Sequence, residues 1–196
     1  MNLDDDLPLM LYTNLGTAEE PRRRVQNVFL DEELVVERMA AMAAEWVRRV
    51  PEGQTRQSFA DGLTLRTALR LARKRGAEAV LVFSDAAVLE AGFREKVAAL
   101  RVPEDWGMLV FGREGEGSPG VVPVRVFSDW TAVAVRRACY AEVARLLKRE
   151  RTGRVRWMMG QRCAVPEGMK VYAVRPALVG SAEGEKKAAV GTAAPH

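Results

Sequence analysis

Asp85 closes the apolar run Val80-Leu81-Val82-Phe83-Ser84-Asp85, and a carboxylate at a strand end has two uses. It can hold a divalent cation against phosphate oxygens, or it can start the next turn. Asp4-Asp5-Asp6 contains an Asp-x-Asp spacing that also suits a divalent ion, but it precedes the first apolar segment and reads as a solvated charge run. Arg22, Arg23 and Arg24 follow that segment, where guanidinium groups reach phosphates by paired hydrogen bonds or form a solvated face. Gly115, Gly117 and Gly120 match the dinucleotide-binding spacing literally. That fingerprint must open a helix whose amides hold the pyrophosphate, whereas this run carries Glu116 and Pro119 and leads into Val-Val-Pro-Val-Arg-Val-Phe, so it reads as a turn. The only histidine is His196, the last residue, which leaves no interior imidazole for a Ser-His pair, a zinc site or acid/base work.

The elements that position these groups alternate in type. Leu7 to Leu15 reads as a first strand running into a loop. Asp31 followed by acidic residues and apolar positions Leu34, Val35, Met39, Met42, Trp46 and Val50 predicts a long amphipathic helix, ended by Pro51-Glu52-Gly53. Leu65, Ala68, Leu69 and Ala72 predict a second helix over Leu63 to Gly76, with Gly76 as its C-terminal cap. Ala77 to Ser84 is apolar on both faces, as a central strand covered on each side must be. A third helix ending at Pro103, a strand at Gly107 to Gly112, a further strand at Val121 to Phe127, and a strand-then-helix unit over 131–150 follow. Arg154 to Met159 and Lys170 to Val179 read as late extended pieces. The pattern predicts a single α/β sandwich over 1–180 with a mainly parallel central sheet, followed by a disordered tail over 181–196. In such sheets ligands collect beyond the C-terminal ends of the strands. A phosphorylated receiver domain is disfavoured, because the acids after the first strand come several residues too late to hold Mg²⁺.

Composition narrows the classes further. Of 196 residues, 48% are hydrophobic and 29% charged, with no apolar run of the ~20 residues a membrane span needs. The net charge of +4 is spread over 30 basic and 26 acidic residues, so a nucleic-acid partner is not expected. The acidic start and the two cysteines, Cys139 and Cys163, lead to the expectation of a cytoplasmic protein with reduced thiols, without a transmembrane segment, and with peripheral membrane association left open.

Taken in order, several segments between Leu7 and Gly184 resemble glycosyltransferase family 25, whose members include lipooligosaccharide galactosyltransferases. Leu11-Tyr12-Thr13-Asn14-Leu15 is similar to the family's opening strand ending in Ile-Asn-Leu, with an arginine-rich stretch after it. Leu63 to Val97 is similar to the helix and strand leading into the acidic motif Glu-Asp-Asp-Ala-Val, here Ser84-Asp85-Ala86-Ala87-Val88. Pro103 to Gly112, Val133 to Leu147 and Gly168 to Gly180 resemble later family segments. The resemblance implies a nucleotide-sugar glycosyltransferase A-type (Rossmann-like) fold and transfer of a sugar from a nucleotide-sugar donor to a glycan or lipid-linked acceptor in surface-polysaccharide biosynthesis. It further implies that Asn14, Leu15, Arg22, Arg23, Arg24, Ser84 and Asp85 lie on the nucleotide sugar, and that Asp85 holds Mn²⁺ or Mg²⁺.

The departures from the family are chemical. Two of the three motif carboxylates are replaced by Ser84 and Ala86, so a cation would rely on Asp85, water and phosphate oxygens. Glu90 and Glu104 are poorly placed substitutes. The family's Gly-Cys-x-x-Ser-His segment has no counterpart in Arg56 to Leu69. Asp129 is the other strand-end carboxylate that could act as base on an acceptor hydroxyl, although the same residue type caps turns and helices. Two functions from different classes are therefore carried forward: a metal-dependent transferase, and a transferase-like domain that has lost catalysis and binds a nucleotide sugar, a glycan or a protein. A plain α/β interaction domain, with Trp46, Trp106, Trp130 and Trp157 in its core or at a subunit interface, is the third.

Overall fold

The computed structural model describes residues 6–7, 9–14, 29–112, 119–148, 156–157, 159 and 161–181. Leu15, Arg22 to Arg24, the glycine run over 113–118 and the tail over 182–196 lie outside the described residues. Ala79–Phe83 forms β3, buried along its whole length, because its alternate side chains enter two different cores. Ala79, Leu81 and Phe83 face one core, and Val80 and Val82 face the other. β1 (Leu9–Asn14) alternates in the same way, with Met10 and Tyr12 opposite Leu9 and Leu11.

The remaining strands are β2 (Glu37–Ala40), β4 (Ala87–Leu89), β5 (Met108–Val110), β6 (Gly120–Pro123), β7 (Val126–Phe127), β8 (Ala132–Arg136), β9 (Cys163–Ala164), β10 (Val171–Arg175) and β11 (Val179–Ser181). A seven-stranded sheet runs in the order β2-β1-β3-β8-β5-β10-β6, and β4-β11 and β7-β9 form two small ribbons. The sheet is mixed, which corrects the expectation of a mainly parallel one. β1 pairs parallel with β2 and β3, and β5 with β10, while β8 runs antiparallel between β3 and β5, and β6 antiparallel to β10. The register Phe83↔Ala132 sets the C-terminal end of β3 beside the N-terminal end of β8. That pairing decides where the candidate site lies.

Helix α1 (Arg56–Lys74) starts where the Thr55 hydroxyl accepts the Ser58 N–H at 3.0 Å. It stops at Gly76, whose φ of 72° suits glycine, with Gly76 N–H bonded to Arg73 O and Ala77 N–H to Ala72 O. Leu65, Ala68, Leu69 and Ala72 face the sheet as the sequence predicts, but the helix begins seven residues before Leu63, through the polar turn Arg56 to Gly62. α3 (Tyr140–Leu146) packs beside α1 with Tyr140, Val143 and Leu146 inward. α2 (Phe93–Ala98) covers the other face, where Phe83, Phe93 and Phe111 continue a chain of ring contacts.

The long helix expected from Asp31 to Val50 is absent. Helical residues 29–31 and a turn at 32–33 lead to β2, and a 3-10 turn spans Ala44–Trp46. The register Leu11↔Glu37 to Asn14↔Ala40 adds β2 to the open edge of β1, so strand pairing satisfies the backbone that the helix pattern had claimed. The expected apolar face separates accordingly: Leu34 enters one core, Met39 the other, and Val35 and Trp46 face solvent. The strand expected over Val121 to Phe127 also divides, into β6 and β7.

Tyr140 links α3 to the sheet. Its hydroxyl donates to Ala77 O at 3.1 Å, and burial, helped by the Glu78 charge and opposed by Arg137, pushes its pKa from 10.0 up to about 12. The folded protein therefore keeps this proton more tightly than the unfolded chain. Its contribution is complete below pH 10.0 and is lost as pH rises through about 12. Tyr140→Phe is expected to cost about 1 kcal/mol at neutral pH and to flatten the alkaline loss of stability, measured by denaturant unfolding across that window.

Candidate functional site

A cavity of about 1080 Å³ opens at the edge of the sheet formed by the C-terminal ends of β1 and β3 and the N-terminal end of β8. The first turns of α1 form its side wall. This is the crevice position in which open α/β sheets hold ligands. Thr13 at the end of β1 lines it, its hydroxyl donating to Phe83 O at 3.2 Å and tying β1 to β3 at the cavity floor.

Ser84 and Asp85 follow β3 directly. Ser84 N–H donates to Thr131 O at 2.9 Å, which extends the β3–β8 ladder by one bond before the chain turns at Asp85 and Ala86. Asp85 is exposed at that turn and Ser84 is half-buried, and both line the cavity. Asp129 reaches the same cavity from the segment before β8. Its Oδ1 accepts the Thr131 N–H at 2.7 Å, the turn-capping bond that its residue type favours. Gly112, beyond β5, lies so close that a methyl group in place of its hydrogen would overlap the Asp129 carboxyl group. Asp129 is thus held from two sides.

Asp61 is the residue that sequence reasoning missed. It stands on α1, facing the cavity, with Oδ1 accepting Gln57 Nε2–H at 2.7 Å one turn earlier. Burial raises its pKa above the ordinary carboxylate value, the Gln57 hydrogen bond opposes this, and the charge of Asp85 adds to the rise. The signal lay in Thr55 followed by Gln57 and Asp61, a capped helix start with an i,i+4 polar pair, in a stretch that carries no apolar periodicity. A carboxyl group with a raised pKa is most comfortable protonated, so its ionisation lowers stability as pH rises through the carboxylate range. Asp61→Asn is expected to leave stability unchanged at acid pH and to increase it at neutral pH, which thermal melts at the two pH values check.

Three of the expected residues, Ser84, Asp85 and Asp129, therefore meet in one place. The backbone of Asn14 ends β1 beside β2, whereas Leu15 and Arg22 to Arg24 lie outside the described residues. Glu90 and Glu104 do not line the cavity; Glu90 pairs with Lys96 at 3.9 Å, and the Glu104 carbonyl accepts from Arg136. Of the tryptophans, Trp106, Trp130 and Trp157 are core, and Trp46 is exposed.

The lining has a clear chemical character. Hydroxyls of Thr13, Ser84 and Thr131, the amide of Gln57 and three carboxylates are present, and the described lining residues include no Lys, Arg or His. No three His, Cys, Asp or Glu side chains among the described residues gather as a metal-holding group. Asp61 and Asp85 are nevertheless close enough for their charges to couple. Mg²⁺-type sites are made from one or two carboxylates completed by water and substrate phosphates, and this donor set fits that kind.

No protein-family model matches the chain, and no curated protein matches it in sequence. Solved structures that resemble it include two viral proteins. One is a glycosyltransferase involved in the glycosylation of the major capsid of PBCV-1, with 10% identity and a TM-score of 0.45, covering 71% of this chain and 64% of that chain. The other is A197 from STIV, with 11% identity and a TM-score of 0.41, covering 68% of this chain and 66% of that one. The chain spans less than two thirds of the length of either, and neither likeness is specific to family 25. Both likenesses are distant ones.

Proposed function

We propose that this chain is a single-domain, cytoplasmic glycosyltransferase related to family 25, which moves a sugar from a nucleotide-sugar donor to a glycan or lipid-linked acceptor of surface polysaccharide. One observation carries the reading. Ser84-Asp85, at the position of the family's acidic motif, opens into a cavity of about 1080 Å³ that Asp61 and Asp129 also face. That volume suits a ligand of nucleotide-sugar size. Its hydroxyl, amide and carboxylate lining suits the hydroxyl groups of a sugar.

In this reading Asp85 and Asp61 are the groups that would hold Mn²⁺ or Mg²⁺, which when bound neutralises the departing diphosphate. Asp61 restores part of the charge that the motif lost at Ser84 and Ala86. Asp129, oriented by the Thr131 N–H, accepts the proton of the acceptor hydroxyl as that oxygen bonds to the anomeric carbon. Ser84 offers its hydroxyl to a donor oxygen.

The second reading, a domain that binds without transferring, is favoured by Ser84 and Ala86 standing where the resembled motif carries two further carboxylates. Calorimetric titration with UDP-sugars, with and without Mn²⁺, followed by a transfer assay on the same samples, separates the two. Metal-assisted binding with transfer supports the enzyme, and binding alone supports the inactive domain. An absence of binding removes a UDP-sugar as the ligand in either reading.

A further inference from the structure

We infer that Trp46, Arg48 and Arg49 form a docking surface for an anionic membrane, placed beside the mouth of the cavity. Trp46 is 70% exposed, whereas Trp106, Trp130 and Trp157 are 4%, 9% and 1% exposed. It ends the 3-10 turn Ala44–Trp46 and makes no ring contact with another described residue. Val47 is buried, and Trp46, Arg48 and Arg49 beside it in the chain are exposed. Arg48 and Arg49 are exposed and have neither an ion pair nor a hydrogen bond with another described residue.

An exposed indole next to unpaired guanidinium groups fits one kind of partner. Tryptophan settles at the headgroup level of a bilayer, and arginine is drawn to the negative surface of anionic lipid. Glu45 and Glu52 stand in the same stretch, and Arg48, Arg49 and Arg56 outnumber them. No helix among the described residues is long and apolar enough to cross a membrane.

The stretch is pinned to the cavity at both ends. Ala41 and Gly53 line the cavity, Met42 N–H donates to Thr64 Oγ1 at 2.8 Å, and Gln161 Nε2–H donates to Gly53 O at 3.0 Å. Docking Trp46 on a bilayer therefore brings the cavity mouth to the lipid surface. Only the consequence, that a lipid-linked acceptor is presented there, rests on the transferase reading; the surface itself does not.

The test uses the full chain with phosphatidylglycerol vesicles and, separately, phosphatidylcholine vesicles. Co-sedimentation with the anionic vesicles alone, weakened by salt, is expected. A blue shift of tryptophan emission should accompany it and vanish in Trp46→Phe, because the other three indoles are already buried. Arg48→Gln with Arg49→Gln should weaken vesicle binding by about fivefold for each charge removed. Both variants change exposed side chains without described partners, so their melting temperatures serve as the folding control. Failure to sediment with phosphatidylglycerol, or equal binding by the arginine variant, overturns the inference. So does an emission shift that follows protein concentration without lipid, which would assign the patch to a second copy. The vesicle measurement needs neither donor nor acceptor, so its failure leaves the transferase reading standing.

Discussion

Replacing Asp85 by asparagine is expected to weaken Mn²⁺-assisted binding of a UDP-sugar by on the order of 100-fold or more, while changing stability by less than about 0.5 kcal/mol. The large effect follows from the charge of the cavity. Its described lining offers three carboxylates and no cation, so a diphosphate meets only repulsion unless a divalent ion stands between them. The small effect follows from the exposure of Asp85 on a surface turn. Asp61 provides an internal check. Asp85 raises its pKa, so Asp85→Asn should bring the Asp61 value back toward the ordinary carboxylate range. The two carboxylates act on one ion in this scheme, so a double-mutant cycle of Asp61→Asn and Asp85→Asn should be strongly non-additive. Equal affinity of Asp85→Asn and wild type in the calorimeter would take Asp85 out of the site.

Gly112→Ala is the second large expected effect. A methyl group there overlaps the Asp129 carboxyl group, so the side chain must leave its place and give up the Thr131 N–H bond. Overpacking of this kind costs about 1–3 kcal/mol of stability. On the proposed transferase reading, in which Asp129 is the base, the cost in rate is larger: a misplacement near 1 Å lowers turnover by about 100-fold. Donor affinity should survive, since Asp85 and Asp61 sit on other elements, and the loss should fall on kcat rather than on KM for the donor. If stability falls while turnover per folded molecule is unchanged, Asp129 serves only as the cap of its turn.

How far these residues were legible in the sequence depends on the range of the forces that place them. β1, β3, β5 and β8 stand out because each must be apolar on both faces to lie between two cores, a local requirement written into consecutive residues. β2 is hidden because Glu37 to Ala40 carries helix-favouring residues, and only the open edge of β1 makes it a strand. The first turns of α1 are hidden for a related reason. Arg56 to Gly62 shows no apolar periodicity, because one side of that turn faces the cavity instead of the core. Asp61 was lost with it.

Taken by itself, the sequence determined the layered α/β character, the absence of an interior histidine, and a single carboxylate at the end of β3. Each of these is a property of neighbouring residues or of composition. Only the tertiary structure decided that Asp61 and Asp129 join Asp85, across 24 and 44 residues of chain. β8 runs antiparallel to β3, so the residues before β8 arrive at the same edge as those after β3, while α1 packs its first turns over that edge. Strand direction is settled by pairing between distant segments and leaves no periodic trace along either one. For that reason the three carboxylates come to line one cavity only in the folded chain.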